Sequence, residues 1–458
     1  MRRENKIFLS VLLTSFMGPF LGSSLNVAIP TMAKDFATSP AALSWLLSIY
    51  LMASVALLLP FGRAADLYGR RRMYACGTFL MAAFSAFAAF VPTLSMLLFL
   101  RALQGLSLGM VFASGMALLV EVSPKEQRGR VIGYSAAATY LGLSMGPPLG
   151  GLLTQLWGWQ PIFLFAAGVV FIAACLAHSA REKSERRKIF SREAFPYRES
   201  CYYTAASVCT LYGLTALTEN FFARILFAFG LLFFLLFLRA ERRASNPLAP
   251  LALFRDKVFL LSNLAALLNY CATYAVSFLL SLYLQVTRGM TPMGAGLVLF
   301  LQPLIMAISS PLAGAWSDKK DARLIATLGM ALTTAGIFCL SFVSQTTARG
   351  YILTILVIVG AGFGIFSPSN NNAIMGCAPK PLYGAASSMV AAMRLLGQAF
   401  SMALVAAIFV GLTGAKAPVA AMLTAIQIAF FALFLLSLWG AVISLLAYGR
   451  GRYKAQRK

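Results

Sequence analysis

Long uncharged apolar runs alternate with short polar clusters along almost the whole chain. Met73–Met96 and Val419–Tyr448, for example, contain no charged residue. A helix rises ~1.5 Å per residue, so about 20 apolar residues cross a ~30 Å hydrocarbon layer. By this measure the pattern predicts fourteen spans, at 7–33, 41–62, 73–93, 96–119, 131–154, 161–178, 201–218, 221–238, 258–284, 292–315, 324–344, 350–372, 384–411 and 418–447. Residues 201–238 read as a hairpin of two short spans, because Thr218-Glu219-Asn220 interrupts the run as a polar turn would. The first run follows a basic start and is too long for the core of a cleaved leader, so it is read as an uncleaved span.

Basic, polar segments flank the hairpin at Arg181–Ser200 and Ala240–Lys257, where Pro196, Pro247 and Pro250 break helical periodicity. Without the hairpin, six spans precede and six follow. The predicted organisation of this all-α polytopic chain is an N-terminal six-helix half (1–180), linkers with two additional transmembrane helices (181–257) and a C-terminal six-helix half (258–458). An internal repeat agrees with it. Gly62 and Asp66 recur 252 residues later as Gly314 and Asp318, and Gly129 and Gly142 recur 255 residues later as Gly384 and Gly397. Two halves in the same orientation are related by an axis along the membrane normal, which puts the expected substrate site at their interface near the midplane.

Composition sharpens this picture. The 458 residues are 60% hydrophobic and 11% charged, against the ~45–50% and ~25% of soluble domains. The net charge of +24 raises the question of nucleic acid. Its placement answers against it: with alternating spans and a cytoplasmic start, 31 of the 38 Lys and Arg fall on the cytoplasmic side, as the positive-inside rule requires. Both termini are thus expected in the cytoplasm of a bacterial inner membrane. Seven scattered cysteines and the lone His178 offer no disulfide framework and no metal site. No P-loop and no nucleophile with a paired base is visible, so neither an enzyme nor a cofactor is expected.

The loop from Gly62 through Asp66, Gly69 and Arg70 to Arg72 sets small residues, one acid and a cluster of bases in a tight turn between spans 2 and 3. Glycine permits close helix approach, and Asp66 can accept charge-assisted hydrogen bonds. Such a loop suits a conformational latch, with Asp318 as its counterpart. Within spans lie two arginines, Arg101 and Arg394, and an ionisable side chain at that depth costs at least ~2.5 kcal/mol unless it faces a cavity or partner. Gln104 lies one turn from Arg101, and Gln398 one turn from Arg394. Asn26, Tyr50, Tyr140, Asn269 and Gln302 are further polar residues at plausible cavity depth. In span 5, Gly142, Gly146 and Gly150 form a small-residue face interrupted by Pro147 and Pro148, suited to a bend and a tight seam. Trp45, Trp157 and Trp159 near one boundary and Trp316 near the other read as interfacial anchors.

The Gly62–Arg72 loop resembles the signature turn of the major facilitator superfamily. Arg101-Ala-Leu-Gln104-Gly105 is similar to its Arg-x-x-Gln-Gly element, and Gly142–Gly151 is similar to its antiporter motif. Fourteen spans, Trp157-Gly-Trp159 and Asn246-Pro-Leu-Ala-Pro resemble its drug and proton antiporter branch with fourteen helices. The resemblance implies a major facilitator fold, alternating access, and proton coupling or substrate contact at Arg101. One departure matters: none of the fourteen acids falls in mid-span, and Leu21 stands where members of that branch often carry an acid. A buried cation without a counter-charge is costly, so neutral, zwitterionic or anionic substrates fit better than lipophilic cations. Asp66, Glu121 or an acid on the substrate remain as proton carriers. The expected function is proton-coupled efflux of hydrophobic small molecules by a monomer in the lipid bilayer, with no nucleic acid partner. Uptake or exchange of an organic anion is the alternative.

Overall fold

The computed structural model describes residues 3–122, 128–180, 195–216, 221–244, 248, 251–377, 383–412 and 419–456. The linker at 181–194, the expected turn at Thr218-Glu219-Asn220 and most of the Asn246–Pro250 motif lie outside the described residues. Among those described, the secondary structure is helical and contains no strand.

The chain forms two compact units, Met1–Leu248 and Ala249–Lys458. The first contains α1 (Arg3–Asp35), α2 (Pro40–Ala56), α3 (Leu58–Tyr68), α4 (Arg70–Ala88), α5 (Leu94–Val122), α6 (Arg128–Trp157), α7 (Gln160–Ser179), α8 (Tyr197–Thr215) and α9 (Phe221–Glu241). The second opens on a 3-10 turn and continues with α10 (Lys257–Thr273), α11 (Val276–Leu282) and a π turn (Tyr283–Thr287). It then runs through α12 (Pro292–Lys319), α13 (Ala322–Leu340), α14 (Arg349–Cys377), α15 (Tyr383–Leu412) and α16 (Val419–Gln456).

Among the described residues, ten helical segments are long and apolar enough to cross a membrane by themselves, and α2 with α3 makes an eleventh, bent by 44°. α4, α6 and α8 are not among them: three arginines open α4, glycines and prolines dilute α6, and hydroxyl-bearing residues stud α8. The surface is apolar, with Phe87, Phe90, Phe99, Phe221 and Leu235 exposed, whereas Arg101, Gln104, Asn269 and Asn370 are buried. A chain solvated by lipid gains nothing by hiding leucine, but every polar group must find an internal partner.

Local sequence explains the helix ends. Ser39 accepts from the Ala42 N–H and precedes Pro40; Thr291 accepts from the Gly294 N–H and precedes Pro292. Both are N-caps followed by proline at the first helical position, where its missing N–H costs nothing. They stand 252 residues apart, the same interval as Gly62 to Gly314.

That interval also governs packing inside each unit. The first pairs α1 with α6 and α7, α5 with α2 and α4, and α4 with α7; the second pairs α10 with α15 and α16, α14 with α12 and α13, and α13 with α16. A Cβ on Gly105 of α5 would strike the Tyr50 carbonyl of α2; a Cβ on Gly360 of α14 would stand 2.6 Å from the Gln302 carbonyl of α12. Each helix comes this close because the approaching residue has no side chain.

Two expectations need correction. The sequence reading treats Gly62–Arg72 as a turn, but Leu58–Tyr68 is helical and only Gly69, at φ +105°, departs from the helix. Nor does Gly62 permit close approach, since a Cβ on it would meet nothing within 4 Å; its repeat counterpart Gly314 stands in the same open space.

Candidate functional site

Arg101 lies two turns into α5 and is fully buried. Its Nε donates to the Leu46 carbonyl (3.1 Å) and its Nη1 to Gln104 Oε1 (2.9 Å). The Gln104 amide in turn donates to Ser85 Oγ on α4 (2.9 Å). The guanidinium carbon sits 3.9 Å from the centroid of the Tyr50 ring on α2, well inside cation–π range. Three neighbouring helices therefore hold one buried positive charge with neutral dipoles and a ring face. The guanidinium supplies a permanent positive charge at this depth. Spacing alone links Arg101 to Gln104; Ser85 and the Leu46 carbonyl left no mark in the sequence.

Several buried polar atoms make no hydrogen bond within the described protein: Tyr50 Oη in the first unit, and Asn269 Oδ1, Gln302 Oε1 and Ser369 Oγ in the second. Asn269 donates to the Met330 sulfur (2.9 Å), and Asn370 donates to the Ser262 carbonyl (3.1 Å). Asn26 is buried on α1, while Arg394 and Gln398 lie half-buried one turn apart on α15.

At the end of α3, Asp66 accepts from Arg70 Nε (2.9 Å), and Arg70 reaches Glu121 at the end of α5 (3.4 Å). All three side chains are well exposed, with 47% for Asp66, 39% for Arg70 and 60% for Glu121. The Asp318 side chain lies outside the described residues. In the second unit it is Asp321 that pairs with a base: it caps α13 and bonds Arg323 at 2.8 and 2.7 Å. Those hydrogen bonds hold its carboxyl below the usual carboxylate range.

On α6, Gly142, Gly146 and Gly150 face α1. A Cβ at each would strike the Phe16 carbonyl, the Ser23 hydroxyl and the Ser24 side chain in turn, and Ser24 Oγ donates to the Gly146 carbonyl (3.0 Å). Pro147 and Pro148 lie inside this helix without ending it.

The tryptophans divide. Trp157 and Trp316 are exposed, as interfacial anchors would be, but Trp159 is buried and donates its indole N–H to Asp35 (2.9 Å). An enclosed indole needs an acceptor, and an acid at the end of α1 provides one. Glu199 and Glu241 are also buried, the former bonded to Arg198 (2.9 Å). Their places at the two ends of the α8–α9 hairpin gave no sign of burial in the sequence.

Among the described residues, up to eleven helices long and apolar enough to cross a membrane, together with exposed apolar side chains and buried polar groups, define a multi-pass integral membrane protein. The Major Facilitator Superfamily model matches residues 11–402, and the chain belongs to that superfamily; it is a transporter and not an enzyme. Relatives include the riboflavin transporter RibZ of Clostridioides difficile (29% identical, 89% of each chain) and the uncharacterized transporter YebQ of Escherichia coli (30%, 87% of each chain). The multidrug resistance protein Stp of Mycobacterium tuberculosis is 28% identical over 88% of this chain and 76% of its own.

Proposed function

We propose that this transporter couples proton entry to the efflux of hydrophobic, non-cationic small molecules by alternating access. The observation that carries the reading is the buried Arg101, held by the Leu46 carbonyl, Gln104 and the Tyr50 ring. A permanent positive charge in a low-dielectric interior repels a cationic cargo, whereas neutral and anionic cargo escape that cost. In the first unit, Tyr50 Oη, which makes no hydrogen bond within the described protein, suits a cargo that brings a hydrogen-bond donor of its own. Relatives named for riboflavin transport and multidrug resistance support organic cargo.

In this reading Asn26, Arg101, Gln104, Arg394 and Gln398 contact substrate or serve coupling. Gly62, Asp66, Gly69, Arg70 and Asp318 belong to the latch, and Gly142, Gly146, Pro147 and Gly150 to a seam that limits leakage. The helices make fourteen crossings, with α8 and α9 as a pair inserted between two six-span halves. Both termini face the cytoplasm of a bacterial inner membrane, supported by the distribution of 31 of 38 basic residues. The protein works as a monomer.

The test is efflux from cells expressing the chain, against a panel of neutral, anionic and cationic compounds, with and without a protonophore. Neutral cargo should leave, and its efflux should collapse with the protonophore. Equal efflux of lipophilic cations would overturn the reading. Buried Arg101 also favours anions, so organic-anion exchange is the second reading. Counterflow of a labelled anion in proteoliposomes that ignores an imposed pH gradient would select it.

A further inference from the structure

The bend between α2 and α3 begins with Pro60. Proline has no N–H and its ring crowds the carbonyl four residues back, so a helix passing Pro60 must release the Ala56 carbonyl. The path does break there: α2 ends at Ala56, α3 starts at Leu58, and the two axes differ by 44°. Two carbonyls at the break, those of Val55 and Ala56, face α8. Tyr203 Oη donates to Val55 O (3.0 Å), and Thr204 Oγ1 donates to Ala56 O (2.9 Å). The second bond replaces the one that Pro60 cannot make.

α8 is braced for this task. Tyr203 is buried beside Phe237, with ring centroids 5.5 Å apart, and Trp45 of α2 lies against Tyr212 of α8 at 5.6 Å. A Cβ on Gly213 would stand 2.5 Å from the Phe227 nitrogen, and one on Gly230 2.5 Å from the Thr210 nitrogen, so α8 and α9 are locked as one hairpin.

The second unit supplies an internal comparison. α12 is the counterpart of α2 and α3 at the 252-residue interval, and it carries Pro311 one residue from the position matching Pro60. Yet α12 runs unbroken from Pro292 to Lys319. Proline at this level thus does not suffice for a break; the break occurs where the Thr204 hydroxyl takes up the freed Ala56 carbonyl and the Tyr203 hydroxyl adds a second bond to the Val55 carbonyl, which also accepts the Leu57 N–H.

We infer that Tyr203 and Thr204 are positioning residues through which the inserted α8–α9 hairpin holds the hinge in α2–α3 open and so sets the orientation of the segment bearing Asp66, Gly69 and Arg70. The hairpin is then part of the switching machinery and not a passive insertion. Removing the hydroxyls favours a straighter α2–α3. An interhelical hydrogen bond in a membrane corresponds to about a threefold shift in equilibrium, so the pair corresponds to a shift on the order of tenfold.

The inference rests on the transport reading for its kinetic arm only; its structural arm stands alone. Spin labels at Ala42→Cys and Tyr68→Cys, in the full chain with its native cysteines replaced, report the α2–α3 distance by electron–electron double resonance. Tyr203→Phe with Thr204→Val should shift that distribution to longer distances, and Thr204→Ser should restore the part due to Thr204 while serving as the folding control. In proteoliposomes the double variant should lose about tenfold in kcat with KM unchanged. A wild-type distance distribution in the double variant overturns the hinge role. A shifted distribution with wild-type turnover overturns the role in switching. Absence of transport by the wild type would count against the proposed function and leave the distance measurement decisive for the hinge.

Discussion

The guanidinium carbon of Arg101 sits over the Tyr50 ring, 3.9 Å from its centroid, with the Arg101 Nε bonded to the carbonyl of Leu46 one turn earlier on the same helix as the tyrosine. Ring and carbonyl together hold a cation that the bilayer interior would otherwise expel. Arg101→Ala should abolish coupled efflux, and Arg101→Lys should rescue little, because an ammonium cannot reproduce the planar fork. Tyr50→Leu removes the ring face and should cost about 1–2 kcal/mol of stability in detergent. Thermal unfolding of purified variants beside vesicle efflux measures both; an Arg101→Ala protein with unchanged pH dependence of transport would remove the residue from coupling.

Asp66→Asn weakens an exposed ion pair with Arg70, which is worth at most about 1 kcal/mol to stability. Unfolding should therefore barely move, while turnover slows and ligand affinity, read by tryptophan quenching, stays near wild type. Parallel loss of binding and turnover would argue against a latch.

Gly146→Val places a branched side chain against Ser23 and the Phe20 carbonyl of α1, where even a Cβ does not fit. Overpacking of this kind should destabilise the protein by about 1–3 kcal/mol. Gly314→Ala meets open space and should be silent, which makes it the matched control.

Asp321 caps α13 and bonds Arg323, so its carboxyl titrates below the ordinary range. A carboxylate with a lowered folded-state pKa stabilises the fold above its unfolded pKa of about 3.9, and that contribution is lost as pH falls through the lower folded value. Asp321→Ala should lose about 1 kcal/mol at neutral pH, and the difference from wild type should shrink as the medium is acidified below about pH 4. A difference that persists at acid pH would assign the loss to packing.

The apolar runs were enough to locate most of the helices, because crossing a hydrocarbon layer as a helix leaves little choice of conformation or extent, although among the described residues ten helices, or eleven with the bent α2–α3 pair, are long and apolar enough to cross. The 252-residue repeat was equally open to reading, since glycine and cap residues recur wherever the same packing recurs. Charge placement suggested the orientation. What the chain left hidden was rotation: in helices apolar on every side, no polar face tells which residues turn inward. Ser85 and the Leu46 carbonyl became partners of the Arg101–Gln104 pair, and Trp159 became buried against Asp35, only when neighbouring helices met. The sequence reading took 41–62 as one span; the break came to light only in the fold, where the Thr204 hydroxyl, 148 residues away, takes up the Ala56 carbonyl that Pro60 releases, while α12 runs unbroken past Pro311. Sequence determined the helices and their repetition through local thermodynamics of the bilayer, and tertiary structure decided which polar atoms meet, because hydrogen bonds between helices depend on distances that no single helix contains.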